Sequence, residues 1–328
     1  MTLRAIYDVA APAKLNLFLH VVGRRGDGYH LLESLFVLID WCDTLHFELR
    51  QDGTLKRHDL GTALPPDDLC LRAARALQAA SGSPLGADIL IDKQVPWGAG
   101  LGGGSSDAAS TLLALNRLWG LRWSRSRLLA LGLTLGADVP FFLGGRNAFV
   151  GGIGERLTPV SVAQQWLAVL KPAANIETRA IFASPLLARS QVRHWHTDII
   201  ESLSRNGGTA PIVQDATASA SRICASGISA SEISASEISA TGMSQPGFGR
   251  NDLQPAAQAQ CPEVAQAAAV LHAAFGNSRM TGSGSAVFSR AGTAEQADSP
   301  MPLEIPAGWV GRMSRSLVAH PLDGWAED

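Results

Sequence analysis

The chain has 328 residues, 46% of them hydrophobic and 17% charged, which fits a soluble globular protein of two domains sharing a cleft. A formal net charge of −2 argues against a general polyanion binder, so nucleic acid is not expected as a partner. No run approaches the roughly 18 apolar residues of a membrane span. Asp8 and Lys14 interrupt the apolar start, no cleavage-site pattern follows it, and a cytoplasmic protein is the expectation.

In chain order, the first third reads as strands and turns. The stretch YDVAAPAKLNLFLHVVG ends in RRGDGYH, where Gly26, Asp27 and Gly28 are turn residues of a hairpin or strand-loop unit. LCLRAARALQAASG places Leu69, Ala73, Ala76, Leu77 and Ala80 on one helical face, with Gly82 as the stop. GADILIDKQVP alternates as a strand into a glycine loop, and SSDAASTLLALNRLWG follows with helical periodicity, a Ser/Asp start and Gly120 at its end. SRSRLLALGLTLGADVPFFLGG reads as another helix leading into a short apolar segment. From 205 to 247 isoleucines recur in register at Ile223, Ile228, Ile233 and Ile238, a spacing that suits neither helix nor strand, so an irregular Ser/Ala-rich insertion is expected. NDLQPAAQAQCPEVAQAAAVLHAAFG predicts one or two helices, and MTGSGSAVFS a glycine turn entering an apolar strand.

The four cysteines, Cys42, Cys70, Cys224 and Cys261, form no CxxC pair, which speaks for reduced thiols. His194 and His196 form an HxH pair without a third nearby ligand, so no metal site is assigned.

The loop PWGAGLGGGSSDAA carries the chemistry. Gly98, Gly100 and Gly103 satisfy GxGxxG, yet a dinucleotide fold wants an acidic residue about 20 positions on, and none lies between Asp107 and Asp138. A Walker loop fails as well, because no lysine follows the glycines. What remains is a bend of backbone N–H groups around a polyphosphate, with the next helix aiming its positive end at the same anion. Ser105 and Ser106 suit capping or contact with a phosphate or its metal. For Asp107, a favourable place in the first helical turn and a role near Mg²⁺ both stay open.

This loop, together with APAKLNLFLHVVGRRGDGYHLLESLF, LGADVPFFLGG and TGSGSAVF, resembles the motifs of the GHMP kinases, in the same order and over most of the chain. KPAANIETRAIF and RNDLQPAA resemble further family segments. The resemblance implies an α+β, two-domain architecture: a ribosomal-S5-like, ATP-binding domain at 1–163 and a ferredoxin-like α/β domain at 164–328, on the substrate side. Trp97 is bulkier than the family residue, Ser285 and Ala286 alter the last motif slightly, Glu177 stands where a smaller residue is common, and 205–247 has no counterpart.

The implied activity is ATP-dependent phosphorylation of a small-molecule alcohol that carries a cytidine diphosphate group, with Mg²⁺ held mainly through the ATP phosphates. ATP would be bound by Pro96, Trp97, Gly98, Ala99, Gly100, Leu101, Gly102, Gly103, Gly104, Ser105 and Ser106. Asp138, among small and apolar neighbours, suits a partly desolvated base, and a local helix cap is the competing reading. Lys14 lies in an apolar strand-like stretch, and the resemblance implies that it pairs with Asp138 as the catalytic centre. Tyr29 offers a stacking face for cytosine and Phe182 the opposite face, while His30 offers hydrogen bonds to the base edge. Asn16, on the strand face of Lys14, suits the acceptor hydroxyls, and Thr178 is added to this set. Another alcohol acceptor, a dinucleotide-dependent oxidoreductase and a non-catalytic nucleotide-binding module are the alternatives.

Overall fold

Two long antiparallel strands form the spine of the protein, β1 (Ala5–Arg24) and β2 (His30–Arg50). They are joined at a turn in which Arg25 N–H donates to Tyr29 O and Gly28 takes a φ of 94° that favours glycine. The computed structural model describes residues 3–187, 250–293, 301 and 304–327. The 205–247 insertion, the His194/His196 pair and Cys224 lie outside the described residues. The register of β1 against β2 slips at four bulges, one of them between Pro12 and Ala13. Proline has no N–H to give a ladder, so a break in pairing there costs little.

One edge of β2 takes β1 along its length, and the other takes β4 (Gly86–Asp92) and β5 (Ala148–Gly151). β3 (Leu55–Asp59) extends the sheet beside β4, and β6 (Arg156–Pro159) beside β5. A second, antiparallel sheet runs β10-β7-β9-β8, from β7 (Gln165–Lys171), β8 (Arg279–Met280), β9 (Val287–Thr293) and β10 (Val310–Arg315). The fold is therefore a mixed α+β one, with two sheets among the described residues.

Strand alternation sorts β2 between two cores, with Leu35, Val37, Ile39 and Trp41 on one face and Phe36 and Leu38 on the other. Ala13, Leu15 and Leu17 join Val37, Ile39, Val169 and Phe288 in a core between the sheets. The opposite face meets α1 (Leu69–Ser81), α2 (Gly103–Leu118), α3 (Arg125–Leu133) and α4 (Val139–Gly144). A third core lies under the second sheet, against α6 (Gln254–Gln260) and α7 (Pro262–Phe275), with Ile181 of α5 (Thr178–Phe182).

Helix α1 starts and stops where expected, with Asp68 accepting the N–H groups of Cys70 and Leu71 and Gly82 in the left-handed conformation. Two local expectations are corrected. Helix α2 begins at Gly103 behind Gly102, whose φ is 74°, and has no side-chain cap, so Ser105 and Ser106 lie inside the helix rather than at its start. The short apolar segment after α3 is itself a helix, α4, with Pro140 in its first turn, where the missing N–H is harmless.

After β10 the chain returns to the first sheet. Ser316 bridges Ile39, Ala319 bridges Arg146, and the Arg125 guanidinium donates to Leu143 O and Ala326 O, tying the last described residues to the end of α4.

Candidate active site

Lys14 and Asn16 stand on the helix-facing side of β1, opposite Ala13 and Leu15. Lys14 is 3% exposed, so it is no solvent-facing strand lysine. Its Nζ donates to Asn16 Oδ1 at 2.6 Å and to Gly100 O at 3.0 Å, and lies 4.7 Å from the Phe36 ring centroid. Asp138 Oδ2 is 3.7 Å away, an ion pair across 124 positions of sequence. Burial pushes the Lys14 pKa below the ordinary lysine range, and the Asp138 charge opposes that shift. Asp138 precedes α4 at the N-cap position yet makes no cap hydrogen bond, which disposes of the local-cap reading. Its side chain keeps 32% exposure, so this carboxylate reaches solvent while its cationic partner does not. Asn16 is fully engaged: Oδ1 holds Lys14, and Nδ2 donates to Ser34 Oγ at 2.9 Å.

The glycine loop is crowded for two reasons. Gly98, Gly100 and Gly102 all have positive φ, between 69° and 79°. The loop also interlocks with the second glycine turn, Thr281–Ser285: Ala286 N–H donates to Ala99 O at 3.1 Å, and a Cβ on Gly284 would fall 2.1 Å from the Ala99 carbonyl carbon. Part of the glycine content thus serves backbone packing, and Gly100 meets Gly284 and Thr281 in the same way. At Gly102 a Cβ would sit 3.2 Å from Lys14 Cε, which ties the loop to the Lys14–Asp138 pair. Ser106 Oγ is buried without a hydrogen-bond partner.

A cavity of about 390 Å³ runs along this loop from Val95 to Ser105, walled on its far side by Leu64, Pro65, Asp68, Leu69 and Arg72. Trp97 stands at it, 75% exposed. Lys14 and Asp138 do not line the cavity; Lys14 meets the loop at Gly100 and Gly102 and carries Asp138 as its ion-pair partner.

Asp107 corrects the sequence reading. It lies in the second turn of α2, is 2% exposed, and accepts from Lys93 Nζ at 2.6 Å. Lys93 also pairs with the buried Asp43. Burial pushes the Asp107 carboxyl well above the usual range, with Asp43 adding to the shift and Lys93 opposing it. Burial alone would lower Lys93, but Asp107 and Asp43 outweigh it and hold its pKa above the ordinary value. One ammonium between two buried carboxylates leaves an excess of negative charge. Lys93 and Asp43 are invisible to motif reading because positions 43, 93 and 107 meet only in the folded chain.

The expected acceptor side is more open. Tyr29 is 62% exposed at the β1–β2 turn. Phe182 faces His30, the rings stacked with centroids 5.2 Å apart and planes 26° apart. Thr178 shares a hydrogen bond of 2.7 Å with Ser283 of the second glycine turn. Asn175 reaches the first loop, its Oδ1 2.7 Å from where a Gly98 Cβ would lie.

A family model described as the GHMP kinases N terminal domain matches residues 68–146, which include the cavity loop, α2 and Asp138. The chain is 59% identical to the 4-diphosphocytidyl-2-C-methyl-D-erythritol kinase of Methylibium petroleiphilum, over 99% of this chain and 100% of that one. It is 51% identical to the kinase of the same name from Verminephrobacter eiseniae, over 99% of each chain. A crystal structure of 4-(cytidine 5'-diphospho)-2C-methyl-D-erythritol kinase superposes with a TM-score of 0.63 at 30% identity, covering 94% of this chain and 98% of that one. Homoserine kinase from Cytophaga hutchinsonii shares the fold, with a TM-score of 0.59 at 16% identity over 98% and 96% of the two chains.

Proposed function

The chain belongs to the GHMP kinases, in the branch of the 4-diphosphocytidyl-2-C-methyl-D-erythritol kinases, and on that premise we propose how its cleft does the chemistry. The protein is an ATP-dependent small-molecule kinase that phosphorylates the 2-hydroxyl of 4-diphosphocytidyl-2-C-methyl-D-erythritol, giving the 2-phosphate and ADP in isoprenoid precursor biosynthesis. Family membership removes the dinucleotide-dependent alternative.

The observation that carries the mechanism is the Lys14–Asp138 pair beside the glycine loop. The acceptor oxygen attacks the γ-phosphorus of ATP, a phosphorus–oxygen bond forms, and the bond to the β-phosphate oxygen breaks with its electrons leaving on ADP. Asp138, half open to the cleft, takes the hydroxyl proton. Lys14, dry and held by Asn16 and Gly100 O, stabilises the charge on the transferring oxygens without having to reorganise. The loop from Pro96 to Ser106 cradles the triphosphate with its N–H groups, and the cavity beside it accepts the rest of the nucleotide.

The unpartnered Ser106 hydroxyl in the first turn of α2 fits a visiting phosphate or its Mg²⁺, whereas Asp107 gives its Oδ2 to Lys93. Mg²⁺ bound mainly through the ATP phosphates would neutralise charge on them. Tyr29, His30 and Phe182 supply aromatic and hydrogen-bonding groups for the cytosine, and Asn16 and Thr178 flank the acceptor alcohol. An S5-like domain at 1–163, a ferredoxin-like domain at 164–328 and a place in the cytoplasm complete the reading. Among the described residues no helix is long and apolar enough to cross a membrane.

The test is ADP release on a panel of alcohols. Turnover with the cytidyl alcohol and none with mevalonate or homoserine is expected, and equal turnover of mevalonate would overturn the acceptor assignment.

A further inference from the structure

Both ends of the glycine loop converge on one carboxylate. Asp43 of β2 is fully buried, and its Oδ1 accepts the backbone N–H of Gln94 at 2.6 Å and of Val95 at 2.7 Å, where the chain leaves β4 for the loop. Its Oδ2 takes the Lys93 ammonium, which reaches on to Asp107 Oδ2 at 2.6 Å, in the helix that the loop feeds. The exit of the loop packs on the same group, since a Cβ on Gly103 would lie 3.4 Å from Asp43 Oδ2 and 3.1 Å from Val95 Cγ1.

We propose that Asp43 is a positioning residue for the nucleotide: directly and through Lys93 and Asp107, it staples the entry and exit of the glycine loop, so that the loop amides stand ready before ATP arrives. The inference rests on the reading of the loop as a triphosphate cradle. A glycine-rich segment loses more conformational freedom on ordering than any other. If that ordering happened on binding, affinity for the nucleotide would drop by the same free energy. Two N–H donors and an ammonium on one buried carboxylate make charge-assisted bonds, the strong kind, and they act at the two points where the loop is anchored. Asp43 itself is not among the residues lining the cavity, so its influence passes through what it holds.

The experiment compares the full chain with Asp43→Asn, Asp107→Asn and Val264→Ala. The last removes packing from the core of α7, away from the loop, and serves as a control for lost stability. Steady-state kinetics give kcat and both KM values, and calorimetry with ADP gives a nucleotide Kd. Asp43→Asn is expected to raise the KM for ATP and the Kd for ADP about tenfold, with kcat and the KM for the alcohol within about threefold. Asp107→Asn shifts the same two constants by less, because the bonds from Asp43 to Gln94 and Val95 survive. Val264→Ala lowers the melting temperature and leaves the KM for ATP unchanged. Unaltered nucleotide constants in Asp43→Asn, or a loss spread evenly over kcat and both KM values, would overturn the staple. If Asp43→Asn does not fold, Asp107→Asn decides alone, and a wild-type ATP KM in it counts against the proposal. Wild-type protein that fails to bind ADP at all would instead count against the cradle reading itself.

Discussion

The half of the cleft proposed for the nucleotide and the half proposed for the acceptor are built from different materials. The first presents a loop of backbone, locked by glycines at positive φ, by interleaved loops and by the buried Asp43–Lys93–Asp107 cluster. The second is made of side chains: an exposed Tyr29, a His30–Phe182 stack and one hydroxyl pair between Thr178 and Ser283. A backbone cradle suits the phosphate chain common to all its nucleotides, whereas side chains can be exchanged to suit a particular alcohol. The contrast predicts that damage to the first half is felt in ATP binding or in the shared chemistry, and damage to the second half in acceptor recognition.

The largest effect is expected at the junction of the halves. Lys14→Met keeps the volume but removes the buried charge, and should lower kcat by about 10²–10³-fold, the range for loss of one preorganised donor to developing charge. A steady-state kcat within threefold of wild type would remove Lys14 from the chemistry. Next comes the loop interlock. Gly284→Ala drives a methyl group into the Ala99 backbone, and should lower stability by about 1–3 kcal/mol or more. An unchanged thermal melt would show that the two glycine turns have slack.

Phe182→Ala should raise the KM for the cytidyl alcohol about tenfold, the scale of one lost base–aromatic stack, and leave the KM for ATP within twofold. An equal rise in both would erase the division between the halves. The smallest effect is in pH. Because burial lowers the Lys14 pKa, the charged, active form is lost as pH rises through a value below the ordinary lysine range, and kcat should fall along that limb. Asp138 opposes the shift, so the limb in Asp138→Asn should move to still lower pH, readable in a pH–rate profile of the residual activity.

How much was legible in the sequence follows the same division. The glycine loop is contiguous, and its geometry is written in residue types that permit positive φ, so its position and its turns could be read directly. Helix α1 was equally plain, because its apolar residues fall on one face and Gly82 ends it. Lys14 and Asp138 were unusual residues in apolar surroundings, but only the family resemblance joined them, since their approach depends on the β1 face and the start of α4 meeting in space. The Ser/Asp start proposed for α2 failed because the Gly102 backbone turns the chain into the helix before Ser105 is reached. For Asp107 the sequence offered a place at the helix dipole or one near Mg²⁺ and carried no sign of Lys93, which lies at the end of another element. The facing of Phe182 on His30 had no local signal, as it joins the first hairpin to α5.

The account turns on proton removal by Asp138 next to a bound γ-phosphate, and single-turnover phosphoryl transfer by Asp138→Asn tests that most directly. With ATP bound and saturating cytidyl alcohol, transfer should slow by about 10²–10⁴-fold while nucleotide affinity stays nearly intact. Transfer at the wild-type rate would contradict it.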